Sequence, residues 1–320
     1  MIRDMARTRL FFATDVHGSE VCFLKFLNAP KVYKADVLVL GGDLTGKMIV
    51  PIVERDDGTY ETSFLGMRQI VSEEKVGEME ERIKRVGFYP YQMDGETFRK
   101  LSTDNQRLDE LFSRLMVERL ERWIEIAEEK LIDREVEVYI SGGNDDFPNI
   151  DDILRRTDAF TDPEGEVVKV HGSHEMLTCA WTNPTPWKTP RECGEEELRD
   201  KLETMIVEVR DIQNCIFNTH VPPIDSGLDL CQKLDENLKP IFSGGQPVMF
   251  GAGSRALRDT IEKHQPILGL HGHIHESKGS VKIGRTLCLN PGSEYSEGIL
   301  RGVIVDLEEK RIGGRLFTSG

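Results

Sequence analysis

Three of the chain's eight histidines crowd into Leu270-His271-Gly272-His273-Ile274-His275, and imidazole is the commonest protein ligand for metals. Such a cluster could equally be a solvated turn or a hydrogen-bonded core group. The choice depends on whether carboxylates and an amide stand ready elsewhere. Four further polar clusters each follow an apolar run: Asp15-Val16-His17-Gly18, Gly41-Gly42-Asp43, Ser141-Gly142-Gly143-Asn144-Asp145-Asp146 and Asn218-Thr219-His220. Collected, Asp15, His17, Asp43, Asn144, His220, His273 and His275 offer nitrogen and oxygen without thiolate, which suits borderline divalent ions such as Mn, Fe, Zn or Ni. Seven ligands are too many for one tetrahedral ion, whereas two ions sharing a carboxylate would use them all.

The elements that must position these residues are legible as apolar runs. Arg9 to Thr14, Asp36 to Leu40, Val136 to Ile140, Asn214 to Phe217 and Ile267 to Leu270 read as buried strands, each ended by turn residues. Open α/β sheets bind ligands at the C-terminal ends of such strands. Ser19 is expected to cap a helix through Asn28, with Val21, Phe23, Leu24 and Leu27 as its apolar stripe. The strand, helix, strand order then predicts a parallel pair. Asp104 should cap a long helix through Leu131, and further helical periodicity covers Glu195 to Val209 and Ser254 to His264. Val167 to Val170 reads as another strand, and residues 225–253 as a long loop. Leu287-Cys288-Leu289, Val303-Ile304-Val305 and Arg315-Leu316-Phe317 alternate with turn residues, which predicts a mostly antiparallel second sheet.

Residues 46–103 interrupt this rhythm. Ile49 to Val53 and Tyr60 to Phe64 flank Asp57-Gly58, a hairpin signal, and charged sequence through Arg85 reads as a surface helix. This insertion could cap the site, bind a protein partner, or be a solvated excursion.

Composition narrows the function classes. The chain has 320 residues, enough for one large domain, and 56 acidic against 41 basic residues give a net charge of -15. That charge disfavours nucleic acid and anionic membrane as partners. No apolar run reaches bilayer-spanning length, so a cytoplasmic location is expected. The six cysteines, without a Cys-x-x-Cys pair and mostly within apolar segments, read as reduced structural thiols.

Asp15-x-His17, Gly42-Asp43, Gly143-Asn144, His220 and Gly272-His273-x-His275, in that order over most of the chain, resemble the calcineurin-like metallophosphoesterase superfamily, closest to a prokaryotic subgroup. The resemblance implies an α/β fold, a four-layer α/β/β/α sandwich with two mixed sheets, forming a single domain over 1–320. It implies two divalent ions, one on Asp15, His17 and His275, the other on Asn144, His220 and His273, with Asp43 bridging. It further implies hydrolysis of a small phosphate ester by a hydroxide bridging the ions, without a covalent enzyme intermediate, and puts Asp43, Asn144 and Asp145 at the reacting centre. One position departs from the pattern. Asp145 stands where many members have a histidine that stabilises the transition state or protonates the leaving group, and a carboxylate beside two cations is a poor proton donor. A phosphodiesterase is therefore expected rather than a monoesterase. The competing readings are a non-catalytic scaffold of this fold, using 46–103, and a recombination-repair-type nuclease. A scaffold has no need of a complete ligand set, and the acidic balance opposes the nuclease.

The remaining histidines have structural readings. His264 falls at a helix C-terminus, where a cation complements the dipole. His171 and His174 read as loop surface residues, and His271, still on its strand, as structural or as a support behind the ligands. The Gly251-Ala252-Gly253-Ser254 turn before a helix could bind phosphate, or simply cap the helix.

Overall fold

The structure is a computed structural model that describes residues 7–132, 135–172 and 174–320. Strand β1 (Arg7–Ala13) is followed by helix α1 (Glu20–Tyr33) and the parallel strand β2 (Val37–Gly41). The Ser19 hydroxyl caps α1 by accepting from the Cys22 N–H. The helix continues past Asn28 and through Pro30, because its last turn places Tyr33 in a stack on Phe11, with ring centres 5.3 Å apart.

The insertion builds its own sheet from β3 (Ile49–Glu54), β4 (Thr59–Phe64), β5 (Met67–Ser72) and β6 (Tyr89–Met93), in the order β5-β4-β3-β6. Helix α2 (Val76–Arg85) packs Met79 and Ile83 against Val50, Ile52 and Phe64 in a separate small core. The hairpin and the helix match expectation, but β5 and β6 were not legible. In β5 the apolar Met67 and Ile70 are exposed and give no burial pattern. β6 carries Pro90, which an edge strand tolerates because it need not donate there.

Helices α3 (Gly95–Leu101) and α4 (Asn105–Leu131) lead to β7 (Glu137–Ser141), which lies parallel to β2. After the short α5 (Ile150–Leu154), β8 (Val167–Val170) and β9 (His174–Cys179) form an antiparallel pair. Helix α6 (Glu195–Ile206) then precedes β10 (Cys215–Thr219). Residues 225–253 are not a plain loop, since they pair as β11 (Leu230–Gln232) with β14 (Met249–Gly251) and β12 (Phe242–Ser243) with β13 (Gln246–Pro247). Helix α7 (Arg255–His264) and β15 (Leu268–Leu270) follow, then β16 (Gly279–Ile283), β17 (Thr286–Asn290), β18 (Arg301–Glu308) and β19 (Arg311–Ser319).

Two mixed sheets result, one in the order β19-β18-β1-β2-β7 and the other β16-β17-β15-β10-β9-β8. This corrects the expectation of a separate antiparallel sheet near the C-terminus. β18 pairs with β1, and β17 pairs parallel to β15, so the last four strands are shared between both sheets. The alternation of each strand explains the layering. In β1, Leu10 and Phe12 face the second sheet, meeting Met176, Ile216 and Leu268, while Phe11 and Ala13 face Phe26, Leu27 and Leu120 of α1 and α4. The other face of the second sheet, with Leu177 and Phe217, packs on Leu198 and Leu202 of α6 and Leu257 and Ile261 of α7. The order of layers is therefore α/β/β/α. All six cysteines are free, and all but Cys231 are buried. Among the described residues no helix is long and apolar enough to cross a membrane.

Glu164, beside β9, makes a pH-dependent contribution. Burial, only partly offset by Arg191, pushes its carboxyl up to about 8, while one oxygen accepts the Ala180 N–H at 2.7 Å. A folded-state value above the unfolded one means that folding takes up a proton in between, so stability falls as pH rises from the ordinary carboxyl range to about 8. Glu164→Gln keeps the acceptor and removes the charge. It is expected to raise the melting temperature at pH 8 and to leave it nearly unchanged at pH 4.5, as scanning calorimetry at the two pH values would show.

Candidate metal centre

Because β1, β2 and β7 run parallel, as do β9, β10 and β15, their C-terminal tips collect at one edge. Backbone bonds zip the tips together: Asp15 N–H to the Gly42 carbonyl at 2.9 Å, His17 N–H to Asp43 at 2.8 Å and Gly18 N–H to Leu44 at 2.7 Å. Asp15, His17, Asp43 and His273 all sit in the left-handed backbone region, with φ of 54°, 41°, 50° and 66°. Each such residue costs on the order of 1–3 kcal/mol unless its surroundings dictate the conformation. Here the crowding dictates it. A Cβ on Gly272 would collide with the Asp15 carboxylate, and one on Gly42 with His220 Nδ1.

All seven expected side chains meet. His17 Nε2 lies 3.1 Å from His275 Nε2, and His275 Nε2 lies 3.3 Å from Asp15 Oδ1. Asp43 faces both halves, with Oδ2 3.6 Å from His17 Nε2 and Oδ1 3.3 Å from His220 Nε2. His273 Nδ1 lies 2.7 Å from Asn144 Oδ1. Two nitrogen or oxygen ligands of one ion are roughly 2.9–3.4 Å apart, given ligand distances near 2.05 Å and angles between octahedral and tetrahedral. The His17–His275, His275–Asp15 and Asp43–His220 spacings fall in that range, whereas Asp43–His17 at 3.6 Å is wider and His273–Asn144 at 2.7 Å is closer. His220 Nε2 is buried, lacks hydrogen-bond geometry to any partner, and is aimed between Asp43 and Asp15. Its Nδ1 is 3.0 Å from the Gly41 carbonyl, which leaves Nε2 as the ligand atom. Asp15, His17 and His275 form one group able to hold an ion, and Asp15, Asp43 and His220 another.

Burial and mutual charge set the electrostatics of the cluster. Burial opposes charge on His220, but Asp43 and Asp15 raise it to about 10. Burial pushes Asp43 up to about 6, with His220 opposing and Asp145 reinforcing. Asp15 is held well below the usual carboxylate range by His220, His275 and His17, despite burial. His17 is driven well below the usual imidazole value by burial and by Lys47, and His273 to about 3 by burial and His220.

Two mixed sheets packed face to face, with an Asp/His cluster at the tips of their parallel strands, settle the architecture. The fold is a four-layer α/β/β/α sandwich built on two mixed sheets. Two solved structures each cover 98% of the chain and of themselves, at TM-scores of 0.55 and 0.53 and identities of 15% and 12%, the second from Thermus thermophilus. A dimetal phosphatase from Danio rerio aligns over 97% of this chain and 98% of its own, at TM-score 0.43 and 8% identity. An uncharacterized protein of Methanocaldococcus jannaschii is 33% identical over 112 residues, 34% of this chain and 44% of that protein. The chain thus spans under half the length of that relative. No family profile matches.

Several supports of the site were not legible in the sequence. Asp146 is fully buried, and its carboxylate accepts from the N–H groups of Leu44, Thr45 and Gly143 and from the Thr45 hydroxyl. It is the internal brace between the Gly42-Asp43 and Gly143-Asn144 turns; the paired acids after Asn144 were the only hint. Buried Arg191 clamps the same loop through the Asp146 and Phe147 carbonyls and Asp151. Thr189 accepts from Asn144 Nδ2 at 2.9 Å, which turns the amide oxygen toward His273. Lys47 pairs with Asp145 Oδ2 at 2.8 Å. Burial works against its charge, but Asp145 and Asp43 prevail and raise its pKa.

The other histidines are accounted for. His271 is buried, with Nδ1 3.0 Å from the Thr219 hydroxyl, and lies outside the groups able to hold an ion. His264 pairs with Glu203. His171 is exposed, but His174 is not a surface residue: it opens β9, is buried, and has Nδ1 3.2 Å from the Asn214 carbonyl. The N-terminus of α7 is already occupied, since Glu195 accepts from Arg255 and Ala256 N–H and from the Ser254 hydroxyl. That removes the phosphate reading of the Gly251–Ser254 turn.

Proposed function

We propose that the chain is a dinuclear metal-dependent phosphoesterase that hydrolyses small phosphodiesters. The observation that carries this reading is the buried His220 Nε2, 3.3 Å from Asp43 Oδ1 and 3.8 Å from Asp15 Oδ1 without hydrogen-bond geometry to either, within a cluster of carboxylates and imidazoles. In this proposal Asp15, His17 and His275 would hold one divalent ion and Asn144, His220 and His273 the other, with Asp43, which faces both groups, shared between them. Mn, Fe, Zn or Ni would suit the donors. When bound, such a pair of cations acidifies water and neutralises phosphoryl oxygens.

The chain's own groups then have distinct tasks. The Gly41 carbonyl fixes the His220 tautomer, and Thr189 fixes the Asn144 amide. Asp145 stands where a histidine could have given a proton to a poor leaving group, and a carboxylate there disfavours a doubly charged monoester more than a singly charged diester. Because general acid catalysis typically contributes at least about a hundredfold, the absent histidine penalises alkyl monoesters above all. Metal analysis by mass spectrometry, with hydrolysis of bis-p-nitrophenyl phosphate and of p-nitrophenyl phosphate, which share a leaving group, tests the proposal. The expectation is about two ions per chain and a diester rate at least about tenfold the monoester rate. A protein that takes up no metal would remove the phosphoesterase reading, and the reverse preference would remove the diesterase part.

A compatible second reading gives residues 46–103 a partner-binding role. Leu65, Met67 and Ile70, exposed around the edge strand β5, support it.

A further inference from the structure

Lys47 lies outside the proposed ligand set, yet the fold fixes the loop that carries it from two sides. The N–H groups of Leu44 and Thr45 both donate to Asp146 at 2.9 Å, and the Gly46 N–H donates to the Tyr89 hydroxyl at 2.7 Å. A Cβ on Gly46 would collide with the Gly87 carbonyl, so the loop packs directly on the insertion's backbone. The strand-tip carboxylate of Asp146 and the first residue of β6 thus aim Lys47 together. Its Nζ sits 2.8 Å from Asp145 Oδ2, which is itself 3.8 Å from His17 Nδ1. The ammonium is therefore one carboxylate away from the ligand cluster. Its side chain is 43% exposed, which leaves it reachable from solvent. The Tyr295 ring lies 4.6 Å from the His17 ring and 5.8 Å from the His275 ring, centre to centre.

We propose that Lys47 is the substrate-binding cation of this centre, taking a non-bridging phosphoryl oxygen of the ester, and that Asp145 positions it. The inference rests on the phosphoesterase reading and deepens it. A lysine ammonium is a compact point charge with three donors, so it can keep one bond to Asp145 and offer another to phosphate. The pair answers the departure at Asp145. Where a histidine would meet the phosphoryl group, this chain offers a fixed positive charge on the neighbouring turn. Because Asp145 remains beside Lys47, the pair is close to neutral. The pair then tolerates one negative charge on the substrate better than two, a preference for diesters. The insertion acquires a task as well, since Tyr89 and Gly87 hold the Lys47 loop.

The test uses metal-loaded full-length protein and inorganic phosphate as the binding probe, with bis-p-nitrophenyl and p-nitrophenyl phosphate as substrates. Lys47→Met is expected to keep its metal content, to weaken phosphate binding in calorimetry by about ten- to a hundredfold, and to raise the diester KM similarly with a smaller change in kcat. Lys47→Arg should recover most of the affinity. Asp145→Asn should raise the monoester rate relative to the diester rate by about fivefold or more, because it removes the charge that opposes a dianion. Phosphate affinity and diester KM within about twofold of wild type in Lys47→Met, with metal retained, would overturn the proposal alone. Wild-type protein that holds no metal and hydrolyses neither ester would overturn it together with the phosphoesterase reading, so the two failures look different.

Discussion

Asp43→Asn is expected to lower kcat/KM on a diester by at least about a thousandfold, equivalent to about 4 kcal/mol of transition-state stabilisation, while the chain remains folded. Both Asp43 oxygens are committed, one 3.3 Å from His220 Nε2 and the other 3.6 Å from His17 Nε2. Asparagine keeps one oxygen and turns an N–H₂ group toward the other half of the cluster, where a donor cannot ligate a cation. The fold itself gains little from this charge. Burial and Asp145 push the ion-free carboxyl up to about 6 against the pull of His220. Since the folded value lies above the unfolded one, whatever the group contributes is lost as pH rises from the ordinary carboxyl range through about 6. At pH 7.5 and without added metal the variant should therefore melt no lower than wild type. What it should lack is the metal-induced rise in melting temperature, which follows from ligand binding to the native state alone. Thermal melts with and without added manganese, alongside diester turnover, check both parts. Full activity in the variant would end the bridging role.

The second large effect is on stability. Asp146→Ala strands the N–H groups of Leu44, Thr45 and Gly143 and the Thr45 hydroxyl in a fully buried position. Each stranded donor costs roughly 1–3 kcal/mol, so even with water entering the gap the loss should reach about 4 kcal/mol. Asp146→Asn retains one acceptor oxygen and should lose about half as much. Asp145→Ala, in contrast, breaks a partly exposed ion pair with Lys47 and should cost under about 1 kcal/mol. Urea titrations of the three variants would separate them, and a loss below about 1 kcal/mol for Asp146→Ala would show that the brace does not matter. The contrast is sharp because the two acids are adjacent in sequence. Asp145 faces a lysine, and Asp146 faces inward and three backbone amides.

The adjacent pair also marks the limit of reading this chain without its fold. Asp145 fills a motif position and Asp146 fills none. Nothing local in Gly-Gly-Asn-Asp-Asp says which acid turns in. The turn after β2 decides it, more than a hundred residues earlier in the chain, by presenting two N–H groups and a hydroxyl at the right depth. His174 is a similar case. Its neighbours His171 and Gly172 suggested an exposed turn, whereas pairing of β9 with β10 buries it against the Asn214 carbonyl.

By itself the sequence determined the local units: the apolar runs that become buried strands, the polar residues at their tips, and the caps at Ser19, Asp104 and Ser254. These follow from hydrophobic period and from side chains bonding backbone a few residues away, so neighbours suffice to specify them. Only the tertiary structure decided which strand lies beside which. It sent β18 to β1 and β17 to β15, turned the hairpin of 46–103 into a four-stranded sheet, and brought Tyr89 under the loop of Lys47. Strand edges present the same N–H and C=O groups whatever their side chains. Partner choice therefore comes from how the cores fill on each face, a property shared by residues hundreds of positions apart and written in no single stretch.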